Sequence, residues 1–183
     1  MARTAEALHT EVAIVGGGLV GMAAAIALAR QGLQVTLIDS QSAPPAPEPF
    51  AWDSRIYAIT PGNKQWLESQ GVWQRMDASR ICSVDRMHVR GDDQHALLAF
   101  DAYEASLPSL SFILENRQLQ DALWSRAGEL DIRILPGHLD GLMRSGVATR
   151  LRLGDGTLLD AQLVIAADGG QSTVRQLAGV GIT

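Results

Sequence analysis

The 183-residue sequence predicts an α/β fold, a parallel sheet with an inserted antiparallel β-meander. The first observation is that an apolar run, three adjacent glycines and an alanine-rich stretch follow one another in VAIVGGGLVGMAAAIALARQG. The second is a series of alternating segments separated by short turns between residues 131 and 163. The third is a continuous apolar run, Leu163–Ala167, typical of a buried parallel strand. With 46% hydrophobic residues the chain is able to bury one core, so we expect one domain over residues 1–183.

The composition argues against several functional classes. The net charge is −5 and the 15 lysines and arginines are scattered, so we expect no nucleic-acid partner. Cys82 is the single cysteine, which leaves no internal disulfide and fits a reducing compartment. We interpret His88 and His95 as ordinary polar strand positions and expect no metal, because no histidine or cysteine spacing matches a metal site.

The first predicted elements are a strand, a glycine turn and a helix. Val12–Val15 is a short apolar run of buried-strand type, and Leu19–Arg30 has the composition of a helix. Gly16, Gly18 and Gly21 match the pattern G-x-G-x-x-G. In that pattern the glycines allow a tight turn, close approach of a pyrophosphate and close packing of helix on strand. Because a helix N-terminus favours an anion, the turn predicts a dinucleotide site, with an ordinary glycine-rich loop as the alternative.

A second strand, Gln34–Asp39, follows the predicted helix stop at Gly32 and ends in an acidic residue. Asp39 lies about 20 positions after the glycines, where a carboxylate binds the ribose 2′-OH of a dinucleotide. A carboxylate there repels a 2′-phosphate, so we expect the ligand to be NAD or FAD and not NADP. The alternative is that Asp39 is a solvated acid at the end of a strand.

The next segment begins with a proline-rich stretch, residues 40–50, which predicts an extended loop. Thr60 and Pro61 then have the sequence of a helix N-cap and a first helical residue, so we expect a helix through Gln70. Trp66 and Leu67 are expected on the buried face of that helix.

The remaining elements are predicted from apolar periodicity and turn residues. A helix is expected over Asn116–Gly128, because Leu119 and Leu123 stand one turn apart. Strands are expected within Ile81–Phe100 and over Asp131–Leu135, Leu139–Met143, Ala148–Leu153, Thr157–Leu163 and Leu163–Ala167. The last strand leads into Asp168-Gly169-Gly170, beyond the carboxyl end of a strand, where open α/β sheets bind ligands.

Five segments, taken in order, resemble one family. They are the glycine turn with Gly32 and Asp39, Asp53-x-Arg55, Gly71-Val72-Trp73, Glu115-Asn116-x-x-Leu119 and Ala167-Asp168-Gly169-x-x-Ser172-x-x-Arg175. Together they resemble the FAD-dependent aromatic hydroxylases related to p-hydroxybenzoate hydroxylase, and within these the ubiquinone-biosynthesis hydroxylases. The resemblance spans nearly the whole chain and implies a Rossmann-like FAD-binding domain.

The resemblance also implies which residues bind FAD. It places the FAD pyrophosphate and the adenosine ribose on the residues already singled out, Gly16, Gly18, Gly21 and Asp39. Arg55 resembles a family arginine near the flavin and pyrophosphate, where a planar cation suits phosphate oxygens. The alternative for Arg55 is a surface cation beside Asp53. Arg117 lies beside a helix start that approaches the cofactor in the family.

At the other end of the chain, Asp168 and Gly169 resemble the family Asp-Gly motif used for FAD and for reduced nicotinamide. Arg175 is then expected to help fix that loop. The alternative is that Asp168 and Arg175 form a structural salt bridge. No side chain in the sequence is identified as a catalytic acid or base.

The activity implied by the resemblance is hydroxylation of a polyprenylated phenol in ubiquinone biosynthesis, with FAD, NAD(P)H and O₂. We expect a cytoplasmic protein that meets the inner-membrane surface or a ubiquinone-biosynthesis complex. The family has a later Gly-Asp motif and a sheet over the substrate, so we expect this chain to be an N-terminal half, incomplete at its C-terminus and inactive alone. The alternatives are a flavin dehydrogenase, reductase or halogenase of the same fold, and a non-catalytic NAD- or FAD-binding module.

Overall fold

The computed structural model describes residues 7–41, 51–92 and 97–181. In chain order the strands are β1 (Leu8–Val15), β2 (Val35–Asp39), β3 (Ile56–Ile59), β4 (Cys82–Val84), β5 (Arg86–Arg90), β6 (Leu97–Asp101), β7 (Ser111–Glu115), β8 (Ile132–Pro136), β9 (Leu139–Ser145), β10 (Ala148–Leu153) and β11 (Leu158–Ala166). Most of the predicted proline-rich loop and His95 lie outside the described residues.

Three of the four described helices, the first three in chain order, confirm the predicted helix positions, and the fourth was not predicted. They are α1 (Leu19–Ala29), α2 (Pro61–Ser69), α3 (Asn116–Ala127) and α4 (Thr173–Leu177), with two short 3₁₀ turns at Trp73–Arg75 and Ala78–Arg80. Within the described ranges, no helix is long and apolar enough to cross a membrane.

The described chain packs as two compact units, residues 7–41 with 123–181, and residues 51–92 with 97–122. The first unit is built on a six-stranded sheet in the order β8-β2-β1-β11-β10-β9. Strands β8, β2, β1 and β11 are mutually parallel, and β10 and β9 continue the sheet as an antiparallel meander. The predicted α/β class is therefore confirmed, while one domain over residues 1–183 stays a prediction.

The core of the first unit follows from alternation along β1. Ala13 and Val15 point to a buried cluster that also contains residues from β2, the meander and α4, namely Ile38, Leu139, Leu151, Leu153, Leu159, Ala161 and Val174. Helix α1 packs against β1, β2 and β8, with Met22, Ala25 and Ile26 almost fully buried. Because both faces of β1 are covered at its carboxyl end, the sequence there, Val12–Val15, is apolar without a break.

One prediction about the meander is wrong. Thr157–Leu163 and Leu163–Ala167 were expected as two strands, whereas they form the single strand β11. Strand β11 pairs antiparallel with β10 along one edge and parallel with β1 along the other. The parallel pairing was predicted and is confirmed. Leu163–Ala167 was also expected to be buried, but the Leu163 side chain is 53% exposed.

The second unit contains a three-stranded antiparallel sheet, β3-β7-β4, and a two-stranded sheet, β5-β6. Strand β7 was not predicted. The predicted cap of α2 is confirmed, since Thr60 Oγ1 accepts a hydrogen bond from the Asn63 N–H at 3.3 Å. Leu67 is buried as predicted, but Trp66 is 39% exposed, so its expected place on the buried face is wrong.

Candidate functional site

The carboxyl ends of four strands meet at one edge of the six-stranded sheet. The N–H of Gly16, just after β1, donates to Ile38 O on β2 at 2.8 Å. The Ala167 N–H, just after β11, donates to Val15 O at 2.8 Å, and the Gly137 N–H, just after β8, donates to Asp39 O at 2.9 Å. The residues that follow these strands are therefore held side by side, as open parallel sheets require of a ligand site.

Gly16 is fixed as glycine by its backbone and by its neighbours. Its φ is +105°, a region that residues with a Cβ rarely adopt. A Cβ at Gly16 would lie 2.3 Å from Ala167 O and 2.8 Å from the Asp168 Cα. The close approach brings Asp168 against the turn after β1.

Gly18 and Gly21 have different structural roles in the same turn. A Cβ at Gly21 would lie 1.9 Å from Gly16 O, so this glycine lets α1 pack directly on the turn. Gly18 is the N-cap residue of α1 and makes no side-chain cap, and a Cβ there would meet nothing within 4 Å. The N-terminus of α1 thus has no side-chain cap and has space beside Gly18, and a helix N-terminus favours an anion.

Gly17 was missed as a site residue, although it is the middle glycine of the three. Its N–H donates to the Asp39 Oδ2, and a Cβ at Gly17 would lie 2.7 Å from that oxygen. The other oxygen, Asp39 Oδ1, accepts the Gln41 N–H at 2.7 Å. Asp39 is therefore tied to the glycine turn by its carboxylate, and its binding of a ribose stays a prediction.

Asp168 is a partly buried, ionised acceptor at the end of β11. Burial raises the pKa of Asp168, but hydrogen bonding from the Ser172 side chain and the Val174 N–H outweighs it and holds the pKa below its ordinary value. Asp168 Oδ2 accepts the Val174 N–H at 3.1 Å. Asp168 Oδ1 is buried and has no hydrogen-bond partner among the described residues. A buried acceptor without a partner is costly, so Oδ1 is suited to a donor from a ligand.

The loop after Asp168 is fixed in a way that the sequence did not predict. Gly169 has a φ of +85°, which turns the chain into α4. Ser172 caps that helix by accepting the Arg175 N–H at 3.0 Å. The Arg175 guanidinium donates to Val180 O at 3.3 Å, and in the described part of the chain it forms no ion pair with Asp168. The predicted alternative of an Asp168–Arg175 salt bridge is therefore wrong, and Arg175 anchors the segment after α4.

A cavity of about 210 Å³ collects these groups. It is lined by Val15, Gly16, Ile38, Asp39, Ser40, Gly137, His138, Leu139, Asp168 and Thr173. Three residues predicted from the sequence, Gly16, Asp39 and Asp168, thus share one cavity. The turn containing His138 was missed, although it follows a strand parallel to β2 and so had to lie at the same edge of the sheet.

The two predicted arginines lie in the second unit. The Arg55 N–H donates to Asp53 Oδ1 at 3.0 Å and the Arg117 N–H donates to Asp53 Oδ2 at 3.1 Å. The Arg55 N–H, followed by the other polar contacts, holds the pKa of Asp53 below its ordinary value against the opposing effect of burial. Asp53 therefore binds the backbone of both arginines, although Arg117 lies 64 positions after Asp53 in the sequence.

Within the described residues, no group of three histidine, cysteine, aspartate or glutamate side chains is placed to hold a metal ion. The cavity side chains are acceptors or neutral groups at the end of a parallel sheet. The Asp39 and Asp168 carboxylates therefore suit hydroxyl groups of a ligand, whereas the feature that favours an anion is the N-terminus of α1.

Comparison with known proteins gives a consistent result. The FAD binding domain family matches residues 9–183. The chain is 41% identical over 180 residues to the 3-demethoxyubiquinol 3-hydroxylase of Escherichia coli, covering 94% of this chain and 44% of that protein. It is 35% identical over 174 residues to the ubiquinone hydroxylase UbiL of Rhodospirillum rubrum, covering 94% of this chain and 40% of that protein. The chain therefore spans less than half the length of these curated relatives.

Solved structures show the same fold. A crystal structure of a mutant of PqsL from Pseudomonas aeruginosa is similar with a TM-score of 0.75 and 25% identity, covering 96% of this chain and 47% of that one. The p-nitrophenol 4-monooxygenase PnpA from Pseudomonas putida is similar with a TM-score of 0.73 and 22% identity, covering 94% of this chain and 44% of that one.

Proposed function

The chain belongs to the FAD binding domain family, and from that premise we propose that it supplies the nucleotide-binding part of a flavin-dependent aromatic monooxygenase. The family and the cofactor FAD agree with the resemblance seen in the sequence. The observation that carries the proposal is the convergence of Gly16, Asp39 and Asp168 on one cavity, with a buried Asp168 oxygen that has no partner in the described part of the chain.

The residues present fit the adenosine and phosphate groups of FAD. Each oxygen of the Asp39 carboxylate accepts one protein N–H, and a carboxylate oxygen has a second lone pair for a ribose hydroxyl. The phosphate is proposed to bind at the N-terminus of α1, which has no side-chain cap, has space beside Gly18 and favours an anion as helix N-termini do. Asp168 Oδ1 accepts a further hydroxyl, since its low pKa keeps the carboxylate ionised at neutral pH.

The protein's share of the reaction is binding and orientation. When bound, FAD supplies the electron transfer and the activation of oxygen. Asp39 selects against a 2′-phosphorylated nucleotide, because its carboxylate repels a second anion at the ribose. The Arg55 and Arg117 guanidinium groups are proposed to bind phosphate oxygens, to which a planar cation can donate two hydrogen bonds.

The proposed reaction of the whole protein is hydroxylation of a polyprenylated phenol with NAD(P)H and O₂. Support comes from the E. coli relative, which is named 3-demethoxyubiquinol 3-hydroxylase. Such a substrate partitions into lipid, so peripheral contact with a membrane is part of the proposal. The test is incorporation of oxygen from labelled O₂ into the phenol; a product without label would refute hydroxylation.

FAD binding is tested by titrating the chain with FAD, NAD and NADP and following the fluorescence of its four tryptophans. We expect FAD to bind best, and Asp39→Asn to weaken it about tenfold through loss of charge-assisted hydrogen bonds. The matched control is Asp85→Asn, an exposed carboxylate outside the cavity that accepts the Ser83 Oγ–H at 2.6 Å, which should leave the affinity unchanged. A chain that prefers NAD would favour the non-catalytic nucleotide-binding module instead.

A further inference from the structure

One ion pair in the second unit holds three consecutive residues of the chain. Arg80 Nε and Nη2 donate to Glu115 Oε1 and Oε2, both at 2.8 Å, and the two side chains are only 16% and 6% exposed. Arg80 Nη2 also donates to Ala51 O at 2.9 Å, and the guanidinium lies 4.2 Å from the centre of the Trp52 ring. Glu115 Oε2 accepts the Asp53 N–H at 2.8 Å. The ion pair therefore fixes residues 51–53 by a carbonyl, a ring and an amide.

Asp53 in turn binds two other segments of the chain through its carboxylate. Its carboxylate accepts the Arg55 N–H and the Arg117 N–H, one on each oxygen. The Asn116 N–H also donates to Arg55 O at 2.8 Å. The backbones of Arg55 and Arg117 are thus joined through one carboxylate, which Glu115 holds in place.

The two arginine guanidinium groups form no direct polar contact among the described residues, although the charge of Arg117 helps to lower the pKa of Asp53. Arg55 is exposed and Arg117 is partly exposed. Among the described residues, neither guanidinium forms a salt bridge or donates a hydrogen bond. Two permanent cations are therefore held on adjoining backbone with free donors, which suits an oxyanion.

Stability alone is a weak reason for the Arg80–Glu115 pair. Burying two charges costs desolvation that their attraction often fails to exceed, and a hydrophobic pair of similar size is frequently as stable. The bidentate geometry and the additional contacts to residues 51–53 instead indicate that this pair holds that segment in place. An ion pair with this geometry fixes the orientation of residues 51–53, which it contacts.

We propose that Arg80 and Glu115 are positioning residues, whose ion pair acts through Asp53 to set the spacing of the Arg55 and Arg117 guanidinium groups for a phosphate-bearing ligand. This inference rests on the proposed function, under which the phosphate belongs to FAD. Neither Arg80 nor Glu115 is proposed to touch the ligand. Their removal should therefore act on the electrostatic part of binding.

The experiment measures the dissociation constant of FAD over a series of salt concentrations. Glu115→Gln keeps the side-chain size and removes the charge, and we expect FAD to bind about tenfold more weakly. The salt dependence should also become shallower, since fewer cations meet the phosphates. The matched control is Arg86→Gln, which breaks the Arg86–Asp101 pair at 2.6 Å, where Arg86 is 68% exposed. This control should bind FAD like the wild type.

A coupling measurement separates positioning from general destabilisation. Arg55→Ala should weaken FAD binding in the wild type but have less than about twofold effect in Glu115→Gln, because the guanidinium is already misplaced there. If the two losses multiply and the salt dependence is unchanged, the inference is overturned. Thermal unfolding of each variant identifies one that fails to fold; Arg80→Lys, which keeps the charge without the fork, then replaces Glu115→Gln in both measurements.

The two proposals fail in different ways. A wild-type chain that does not bind FAD would refute the proposed function, and the inference that rests on it, before any variant is compared. A wild type that binds FAD, together with a Glu115→Gln variant of equal affinity and equal salt dependence, would refute only the positioning inference.

Discussion

Two glycines of the same turn should lose very different amounts of stability when a single methyl group is added. At Gly16 a Cβ would lie 2.3 Å from Ala167 O, 2.5 Å from Ala167 C and 2.8 Å from the Asp168 Cα. All three are backbone atoms, which cannot rotate away, and the φ of +105° adds strain. At Gly18 a Cβ would meet nothing within 4 Å and φ is −67°.

The magnitudes follow from these contacts. Gly16→Ala combines an unfavourable φ with forced overpacking, which together lower the free energy of unfolding by about 4 kcal/mol. For a chain of this length that corresponds to a fall in melting temperature of about 10 °C. Gly18→Ala replaces a tolerated N-cap residue with a poor one and should lower the free energy of unfolding by about 1 kcal/mol.

Thermal unfolding, followed by circular dichroism, measures the difference in stability between the two variants. Titration with FAD measures the effect of Gly18→Ala on binding. Under the proposed function the Gly18 methyl enters the space left for a phosphate, so FAD should bind about tenfold more weakly to Gly18→Ala. Equal losses of melting temperature in the two variants would refute the packing argument. An unchanged FAD affinity in Gly18→Ala would refute the assignment of the phosphate to this turn.

Two further predictions concern Asp168 and strand β11. The pKa of Asp168 is lower in the folded chain, so its charge stabilises the fold above the unfolded pKa of about 3.9 and this contribution is lost as the pH falls through the folded pKa. The melting temperatures of the wild type and Asp168→Asn should therefore differ most near neutral pH and converge below about pH 4, and a difference that persists unchanged in acid would contradict this reasoning. On β11, Leu159 is fully buried and Leu163 is 53% exposed. Leu159→Ala should lower the free energy of unfolding by about 2–5 kcal/mol and Leu163→Ala by less than about 1 kcal/mol, measured by denaturant unfolding, and equal losses would count against the exposure of Leu163.

The glycine turn was predictable because its causes are local. An apolar strand, glycines at fixed spacing and a helix former are adjacent in sequence, and each restricts the backbone where it stands. The same is true of the Thr60 cap of α2. Asp39 was identified by its distance from the glycines, while its hydrogen bond from Gly17 needed two segments to meet.

The predictions that were wrong concern features that depend on which residues pack against a segment. The division of β11 into two strands was wrong because an apolar run does not show whether the chain turns within it. Trp66 was expected to be buried because it is large and apolar, yet which face of α2 is covered is decided by its neighbours. His138 lies in a turn without a motif of its own, and the apolar run of β7, Phe112–Leu114, is too short for periodicity to identify a strand.

The sequence by itself determined the fold class, the glycine turn and the family, because backbone sterics and apolar periodicity act between near neighbours. Only the tertiary structure decided that Asp39 and Asp168 share a cavity, that Asp168 Oδ1 has no partner among the residues described, and that Glu115 reaches Asp53. The physical reason is that hydrogen bonds and ion pairs require contact within about 3 Å, and residues far apart in sequence reach that distance only when strands pair and helices pack.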